Sequence, residues 1–515
     1  MTKRVATTHR ASTATTAGTQ PELAGGFAAA GEEHPRRRRQ ELADLRCLGL
    51  PTSTFANRYS QVEDTEASAA KECPRRTIIT SSLLIPGNGE PLPNGALVVE
   101  GKTIVWVGDK ADIPQEYTQN PHKAHHVPYM MPGLWDVHVH FLDLPSDPDQ
   151  LPAVMALESL SEHPAGTGAR LAKQCWEAIQ LGYTSLRDCG GFGCELAKVI
   201  NEGGIVGPNV YSAGSYLSQT AGHGDIFTLP PGDALLNLGI HNVTAGYWGS
   251  GFCMMVDGVD ECRRAVRLQI RRGARCIKVF ASGGVVSRDD NPLDQQFSDE
   301  ELRVIVEEAN RMGRGVAAHV HGKAGILAAA SAGVTTVEHA TFADQECIDI
   351  LKEKDIIYVA TRAVVARLIE TGGEGIPKST WEKVQLINKN HLAAYKLAVQ
   401  NGGITFALGT DGRPGDGGKA KELQYAVEAG MSNLEAIRAA TANGPLTLGG
   451  GQGGPGGQVP RSGRLEVGYD ADILGLLENP AEDVRVLQRG EVVRWVWKGG
   501  RLYKGPGVGP WGEEA

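Results

Sequence analysis

Two histidines one residue apart, His138 and His140, are the first residues of this sequence that point to chemistry. Successive side chains of a β-strand point to opposite faces, so these two would face the same side. Two imidazoles directed at one point make half of a metal site, because neutral imidazole is a common metal ligand. The preceding Pro132-Gly133 favours a turn, which gives this strand a defined start. Taken alone, the pair is as typical of two half-buried histidines on a strand as it is of a metal site.

Further residues with acid–base or metal-binding chemistry stand at the ends of other strand-like segments. They are Lys278, His319, His339 and Asp411. Each one alone is better explained structurally, for example Asp411 in Gly409-Thr410-Asp411 as a helix cap. Parallel strands bring their carboxyl ends to one face of a sheet, so these residues would meet the histidine pair there. The joint pattern therefore predicts one metal-dependent site.

Strand-like and helix-like segments alternate through the central region of the chain. The strand-like segments are the one carrying His138 and His140 and then 184–188, 209–213, 276–280, 315–321, 335–339, 356–360 and 404–409. Such alternation indicates a parallel sheet, and eight units favour an α/β fold of the (β/α)8 TIM-barrel type. An open doubly wound sheet is the alternative, but no glycine-rich phosphate loop follows its first strand.

Both flanks of this central region contain short β-prone runs separated by glycine, proline and asparagine. We expect the flanks to pair into one small β-sandwich domain, because the two ends of a domain often meet. The first residues are instead rich in Ala, Thr, Ser, Gly and Arg, which predicts a disordered extension. The predicted organisation is an extension at 1–75, the first half of the sandwich at 76–130, the barrel at 131–448, a glycine-rich linker at 449–460 and the second half of the sandwich at 461–515.

The composition excludes several classes of protein. With 41% hydrophobic and 22% charged residues the chain is an ordinary globular protein, and its net charge of −9 argues against a nucleic-acid partner. Nine cysteines without a CxxC motif indicate neither a disulfide framework nor a cysteine zinc site. No apolar run is long enough to span a membrane, and the start lacks the apolar core of a secretory signal. We therefore expect a cytoplasmic protein, although the Arg-, Ser- and Thr-rich start also has some features of a transit peptide.

In order and spacing, the strand-end residues resemble the metal ligands of the binuclear amidohydrolase superfamily. The resemblance covers the chain from about residue 76 to its end. The lysine within Ile-Lys-Val-Phe-Ala-Ser-Gly-Gly at 277–284 is similar to one branch, the Xaa-Pro dipeptidases and ochratoxinase-like amidases. The segment Ser-Gln-Thr-Ala-Gly-His-Gly-Asp at 218–225 is similar to the same branch.

This resemblance implies two divalent metal ions, which we expect to be Zn²⁺. The implied ligands are His138, His140 and Asp411 for one ion and His319 and His339 for the other, with Lys278 between them. A free lysine amine is cationic and a poor ligand, so the resemblance implies that it is N6-carboxylated to an anionic carbamate. It also implies that Asp411 is catalytic: it would accept a proton from a water that bridges the metals and deliver it to the leaving amine.

Four further residues are candidates for contact with substrate. His321 shares a strand face with the histidine two residues before it and is a candidate to hydrogen-bond the substrate carbonyl or the oxyanion, with a structural histidine as the alternative. His223 lies in a loop of small residues of the kind that contacts substrate. Tyr216 and Arg288 are candidates to meet a substrate carboxylate. Glu338 directly precedes a ligand candidate, so strand alternation predicts that it points away from the site in a structural role.

The predicted function is metal-dependent hydrolysis of a carbon–nitrogen amide bond by a metal-bridging hydroxide. The expected substrate is a small molecule: an N-acyl amino acid, a dipeptide or an ochratoxin-like amide. A cyclic-amide hydrolase or a deaminase is the enzymatic alternative, although Lys278 argues against the mononuclear deaminases. A metal-free, non-enzymatic scaffold is the remote alternative. The resemblance also implies a homo-oligomer.

Overall fold

The structure is a computed structural model that describes residues 76–119, 123–142, 163–241, 252–374, 376–449 and 459–513. The predicted extension 1–75 and most of the predicted linker 449–460 lie outside these residues. The strands are β1 (Arg76–Leu84), β2 (Leu92–Pro93), β3 (Gly95–Glu100), β4 (Thr103–Asp109), β5 (Lys123–Pro132), β6 (Leu134–Val139), β7 (Tyr183–Asp188), β8 (Asn209–Ser212), β9 (Tyr216–Ser218), β10 (Cys253–Met255), β11 (Cys276–Phe280), β12 (Gly315–Val320), β13 (Thr336–His339), β14 (Ile357–Val359), β15 (Ile473–Leu476), β16 (Val493–Lys498) and β17 (Arg501–Lys504).

The helices occupy the connections between most of the central strands. They are α1 (Gln115–Thr118), α2 (Pro164–Gln180), α3 (Gly193–Asn201), α4 (Pro231–Leu238), α5 (Val259–Arg272), α6 (Asp299–Arg311), α7 (Lys323–Ala332), α8 (Gln345–Glu353), α9 (Arg362–Glu370), α10 (Lys378–Asn401), α11 (Lys421–Ala429) and α12 (Asn433–Ala439). Short 3₁₀ turns lie at Lys110–Asp112, Gly444–Leu448 and Val484–Gln488. The start of α6 follows from its sequence, because Ser298 and Glu301 form a capping box.

The central strands form two parallel sheets. One has the order β6-β7-β8, and the other has the order β10-β9-β11-β12-β13-β14. Isolated parallel bridges join Val139 to Gly412 and Tyr358 to Phe406, so the segment 406–412 lies beside both β6 and β14. The strands are almost wholly buried and pack on the helices through one large apolar core. The predicted α/β class is confirmed.

Two details of the predicted strand order are wrong. The segment 404–409 is not a strand, since with the described residues it makes only the bridge at Phe406. The strands β9 and β10 were not predicted. The reason for β9 is local: Gly214 has a φ of +71°, which interrupts the extended chain after β8, and β9 then pairs with β11.

Strands from both flanks pair in a single mixed sheet, in the order β17-β16-β15-β5-β1-β3-β4 with β2 beside β1. The antiparallel pairing of β15 with β5 places Leu474 opposite Met131. The buried side chains of this sheet include Ile79, Leu97 and Trp497. Since β5 leads through Gly133 directly into β6, this sheet fixes where the strand of the histidine pair begins.

Within the described residues, no helix combines the length and the apolar character that crossing a membrane requires.

Candidate metal centre

The structure brings all six predicted metal ligands together at the carboxyl ends of the central strands. His138 lies on β6, Lys278 on β11, His319 on β12 and His339 at the end of β13, while His140 and Asp411 follow in the adjoining loops. The Asp411 Oδ1 atom lies 3.0 Å from His140 Nε2 and 3.4 Å from His138 Nε2. Lys278 Nζ lies 3.4 Å from His138 Nε2. The ring centroids of His319 and His339 are 4.6 Å apart.

Hydrogen bonds fix which nitrogen each histidine presents to this centre. His138 donates from Nδ1 to Glu338 at 2.7 Å, and His140 donates from Nδ1 to the Gly190 carbonyl at 3.2 Å. In both rings Nε2 is therefore the nitrogen that faces the centre, as a metal ligand requires. His319 is the opposite case, because its Nε2 lies 3.3 Å from the Gly283 carbonyl, which leaves Nδ1 free.

The tautomer of His339 is also fixed by a hydrogen bond, in this case to a hydroxyl group. The Thr361 hydroxyl donates to the Ala360 carbonyl at 2.7 Å, so it can only accept from His339 Nδ1, which lies 2.6 Å away. His339 Nε2 is therefore left to face the centre. Each of the four predicted ligand histidines is thus anchored through one ring nitrogen by an acceptor outside the ligand set, which leaves its other nitrogen for the centre.

The prediction that Glu338 points away from the site is wrong. His339 has a φ of +72°, so the alternation of the strand ends there and both neighbouring side chains reach the interior. Glu338 is fully buried, and besides its bond from His138 it accepts one from Arg187 at 2.7 Å. Its role is structural, as predicted, but it acts on a ligand of the centre.

Burial and neighbouring charges set the protonation states of the site. Burial lowers the pKa of His138, and lowers those of His319 and His339 well below the ordinary value, with a further lowering from Lys278. Burial disfavours the Asp411 carboxylate, but His138, the hydrogen-bonded His140 and Lys278 together outweigh burial and hold the pKa of Asp411 below its ordinary value. Neutral imidazoles and an ionised carboxylate are the states that bind metal ions.

The donor set fits two metal ions. The possible ligand atoms of His138, His140 and Asp411 lie within 4.8 Å of one another. The atoms of a second group, His319, His321 and His339, do so as well. Two groups of nitrogen and oxygen donors that share one centre match the preferences of Zn²⁺ and similar ions. The buried Lys278 amine lies within reach of this centre, where a carbamate would supply the oxygen ligands that an amine lacks.

The centre opens into a cavity of about 310 Å³ that contains three of the four predicted substrate contacts, Tyr216, His223 and Arg288. Its other walls are largely apolar, with Phe227, Phe252, Phe280, Leu142, Ile226, Val286 and Val364. Arg288 lies at the rim, mostly exposed and paired with Asp289 at 3.3 Å. His321 instead lines a smaller adjoining cavity of about 60 Å³, next to His339. An apolar cavity with few polar groups is typical of a small-molecule site.

His321 lies close to the centre without the same fixed tautomer. Its ring stacks on that of His339 with a centroid distance of 5.0 Å. Its Nδ1 lies 2.8 Å from the Thr341 hydroxyl, which can donate or accept. Burial lowers the pKa of His321 to about 3. It is therefore a neutral ring whose Nε2 is not used in the contact with Thr341.

Comparison with known proteins assigns the family. The model of the amidohydrolase family matches residues 129–503, which contain every ligand described above. The chain belongs to the amidohydrolase family. This membership confirms the predicted superfamily and the predicted class of reaction, hydrolysis of a carbon–nitrogen amide bond.

Relatives of this amidohydrolase lie in the predicted branch. It is 57% identical to the ochratoxinase of Aspergillus niger over 440 residues, which are 85% of this chain and 89% of that protein. The crystal structure of A. niger ochratoxinase superposes on this structure with a TM-score of 0.81 at 56% sequence identity. The matched residues are 86% of this chain and 98% of the ochratoxinase chain. A Xaa-Pro dipeptidase crystallised with methionine in its active site has a TM-score of 0.71 at 27% identity, covering 84% of this chain and all of that one (100%).

Sequence reasoning missed the residues that hold the ligands of this amidohydrolase in place. Asp136 accepts hydrogen bonds from Thr410 at 2.6 Å and from Lys419 at 2.7 Å, and so ties the β6 strand to the loop that carries Asp411. Thr361 fixes the tautomer of His339. The only signal for Asp136 was its position two residues before His138, on the same face of the strand. Thr361 gave no signal in the sequence.

Proposed function

We propose that this chain is a binuclear metal-dependent amidohydrolase whose substrate is an N-acyl amino acid, a dipeptide or an ochratoxin-like amide. The observation that carries the proposal is the set of fixed histidine tautomers around the buried Lys278. Four imidazole nitrogens that converge on one lysine and one carboxylate suit a pair of metal ions. The names of the relatives, ochratoxinase and Xaa-Pro dipeptidase, support this range of substrates.

In this proposal two divalent ions, most simply Zn²⁺, would be held by His138, His140 and Asp411 on one side and by His319 and His339 on the other. Lys278, carboxylated on its amine, would supply an oxygen to each ion. When bound, the ions would lower the pKa of a water molecule and polarise the scissile carbonyl.

The protein's own groups then carry the proton and orient the substrate. The Asp411 carboxylate would accept the proton of the attacking water at Oδ1 or Oδ2 and pass it to the leaving nitrogen. His321 would hydrogen-bond the carbonyl oxygen, whose negative charge grows during attack. The aromatic walls around Tyr216 and Phe280 would bury an apolar portion of the substrate, and Arg288 at the rim would meet a carboxylate. His223 would contact the substrate from the same cavity.

Two further features belong to the proposal. The central strands would close into a TIM barrel through the segment 406–412, because its bridges reach both β6 and β14. The sheet of the two flanks would fold into a β-sandwich beside it. The chain would also form a homo-oligomer, which light scattering coupled to size exclusion would measure.

The first experiment measures bound metal and amide hydrolysis together. Metal per chain is determined by plasma mass spectrometry for the wild type, Lys278→Ala and the matched control Lys354→Ala, an exposed lysine on the surface. The same proteins are assayed on N-acyl amino acids, Xaa-Pro dipeptides and ochratoxin-like amides. We expect close to two metals per chain and turnover in the wild type and the control, and a marked loss of both in Lys278→Ala.

Carboxylation of the lysine has its own readout. A short carboxylic acid such as propionate can replace the missing carbamate, so it is expected to restore some of the metal content of Lys278→Ala. A wild-type protein that stays metal-free and inactive after Zn²⁺ and bicarbonate are supplied would contradict the proposal and favour a scaffold. Two metals with turnover only on cyclic amides or amino-heterocycles would favour the cyclic-amide hydrolase or deaminase.

A further inference from the structure

The ring of His223 is packed into the wall of the cavity. It stacks on His319 with a centroid distance of 4.5 Å, and its edge meets Phe280 at 4.7 Å. Gly284 lies against the ring so closely that a Cβ on this glycine would come within 2.1 Å of Nδ1. These contacts restrict the His223 ring to one plane.

The hydrogen bonds of the loop 284–290 also fix the tautomer of His223. The Ser287 hydroxyl donates its single proton to Asp290 Oδ1, so its oxygen can only accept from His223 Nδ1, which is 2.7 Å away. The other carboxylate oxygen of Asp290 lies 3.5 Å from the same nitrogen. His223 Nδ1 therefore carries a proton, and Nε2 is the ring nitrogen left for a group in the cavity.

Asp290 is itself fixed by a lysine from another element. Lys383 on α10 donates to the Gly284 carbonyl at 3.3 Å, to the Ser287 carbonyl at 3.0 Å and to the Asp290 carbonyl, and it lies 3.3 Å from Asp290 Oδ1. The Asp290 side chain is only 3% exposed and accepts a further hydrogen bond from Gly284 N at 2.7 Å. One ammonium group thus holds both ends of the loop and its acidic residue.

We propose that Asp290, clamped by Lys383, is a positioning residue that fixes the ring plane and the tautomer of His223 for substrate. Asp290 and Lys383 would then act on the reaction through this imidazole. The arrangement resembles the way a buried aspartate orients a catalytic histidine, except that Asp290 acts through the Ser287 hydroxyl, which accepts the Nδ1 proton and leaves Nε2 for the cavity. The contact of His223 with a substrate rests on the proposed function, whereas the ring plane and the tautomer of His223 do not.

The state of His223 is measured first, without turnover. Protein labelled with ¹⁵N-histidine and loaded with Zn²⁺ is studied by two-dimensional NMR, with His223→Gln used to assign the signal. We expect His223 to be protonated at Nδ1 in the wild type and in Asp294→Asn, a matched exposed aspartate of the same segment. In Asp290→Asn we expect a change to the Nε2-protonated form or a mixture, because an amide can donate where the carboxylate accepted. An unchanged tautomer in Asp290→Asn would overturn the proposal.

Kinetics test whether Asp290 acts through His223. If it does, the double variant Asp290→Asn/His223→Gln loses no more kcat/KM than His223→Gln alone, since the second change removes what the first one orients. Losses that multiply would show an independent structural role and overturn the proposal. Lys383→Met, which leaves the cavity wall itself intact, provides a second variant in case Asp290→Asn fails to fold. The loss of kcat/KM caused by Lys383→Met is likewise expected to vanish in the His223→Gln background. If the two losses multiply instead, Lys383 does not act through His223 and the proposal is contradicted.

Failure of the proposed function gives a different pattern. A wild type that hydrolyses none of the amides would overturn the amidohydrolase proposal while leaving the tautomer experiment intact. A wild type that hydrolyses them, with His223 protonated at Nε2, would retain the function and overturn the positioning role.

Discussion

At the scale of single residues, the site is defined as much by what each histidine donates to as by the histidines themselves. A carboxylate, two backbone carbonyls and a hydroxyl accept the protons of His138, His140, His319 and His339. The acceptors come from four separate regions of the chain. The ligands could be predicted from residue type and strand position, but these acceptors could not, because Glu338 lies 200 residues from His138 in sequence.

The Glu338 carboxylate should control metal affinity without touching the metal. Glu338→Gln keeps the shape of the side chain, but only its amide oxygen can accept, so one of the two donors, His138 or Arg187, faces an NH2 group instead. We expect the affinity for metal to fall about 10- to 100-fold, as is typical when a ligand loses its hydrogen-bond partner. Competition with a chelator measures this. Glu308→Gln is the matched control, since Glu308 also pairs with two arginines but lies outside the site. Equal affinities of the two variants would refute the prediction.

Buried His391 should make the fold sensitive to acid. It is fully buried on α10, its Nε2 donates to the Ala360 carbonyl at 2.7 Å, and burial lowers its pKa to about 4. Between pH 6.5 and 4 the unfolded chain binds a proton here that the folded chain does not, so stability is complete above about 6.5 and falls as the pH drops through this window. The lowering corresponds to about 3 kcal/mol in the free energy of unfolding.

Urea unfolding from pH 7.5 to 4.5 measures this acid sensitivity. His391→Gln keeps a donor for the carbonyl but does not titrate, so its stability should fall less on acidification than that of the wild type. His241→Gln, at an exposed histidine, should follow the wild type. Parallel curves for all three proteins would show that His391 does not contribute.

At the scale of elements, alternation of strands and helices could be predicted because each element has its own hydrophobic period. The interruption at Gly214 and the left-handed conformation of His339 could not, since a positive φ at a single residue leaves no trace in the hydrophobic period. The loop 284–290 shows the same limit. Arg288 in it was predicted, but the roles of Asp290 and Ser287 depend on His223, more than 60 residues earlier in the chain.

The contact of β6 with the segment 406–412 should depend on the absence of a side chain at Gly409. A Cβ at this position would lie 2.5 Å from the Cβ and 2.7 Å from the backbone nitrogen of His138. We expect Gly409→Ala to displace the histidine strand, to cost about 1–3 kcal/mol of stability and to lower metal content. Gly417→Ala is the control, because open space surrounds that glycine. Urea unfolding and metal analysis measure both effects, and a Gly409→Ala protein indistinguishable from the control would contradict this account.

At the scale of the whole molecule, the two flanks matter to the site. They lie on either side of the central region in the sequence, and they pair with each other in the structure. Strands from before and after the central region share one sheet, and that sheet continues through Gly133 into β6. The pairing of the flanks could be predicted from their β-prone composition. The single mixed sheet could not, because β15 and β5 come from opposite sides of the central region and nothing in their local sequences specifies their register.

Asp472 should join the flank sheet to the central strands and carry stability without affecting chemistry. Its buried carboxylate accepts from Gly499 N at 2.7 Å, next to β17, and from Asn209 Nδ2 at 2.9 Å, on β8. Asp472→Ala leaves both donors without this acceptor, which should cost about 2–3 kcal/mol in the free energy of unfolding. Asp470→Ala, a partly exposed aspartate two residues earlier, should cost about 1 kcal/mol or less. Because Asp472 lies outside the cavity, kcat and metal content at 25 °C should stay at the wild-type level while the urea midpoint falls. A loss of kcat or metal without a loss of stability would instead place Asp472 in the function of the site.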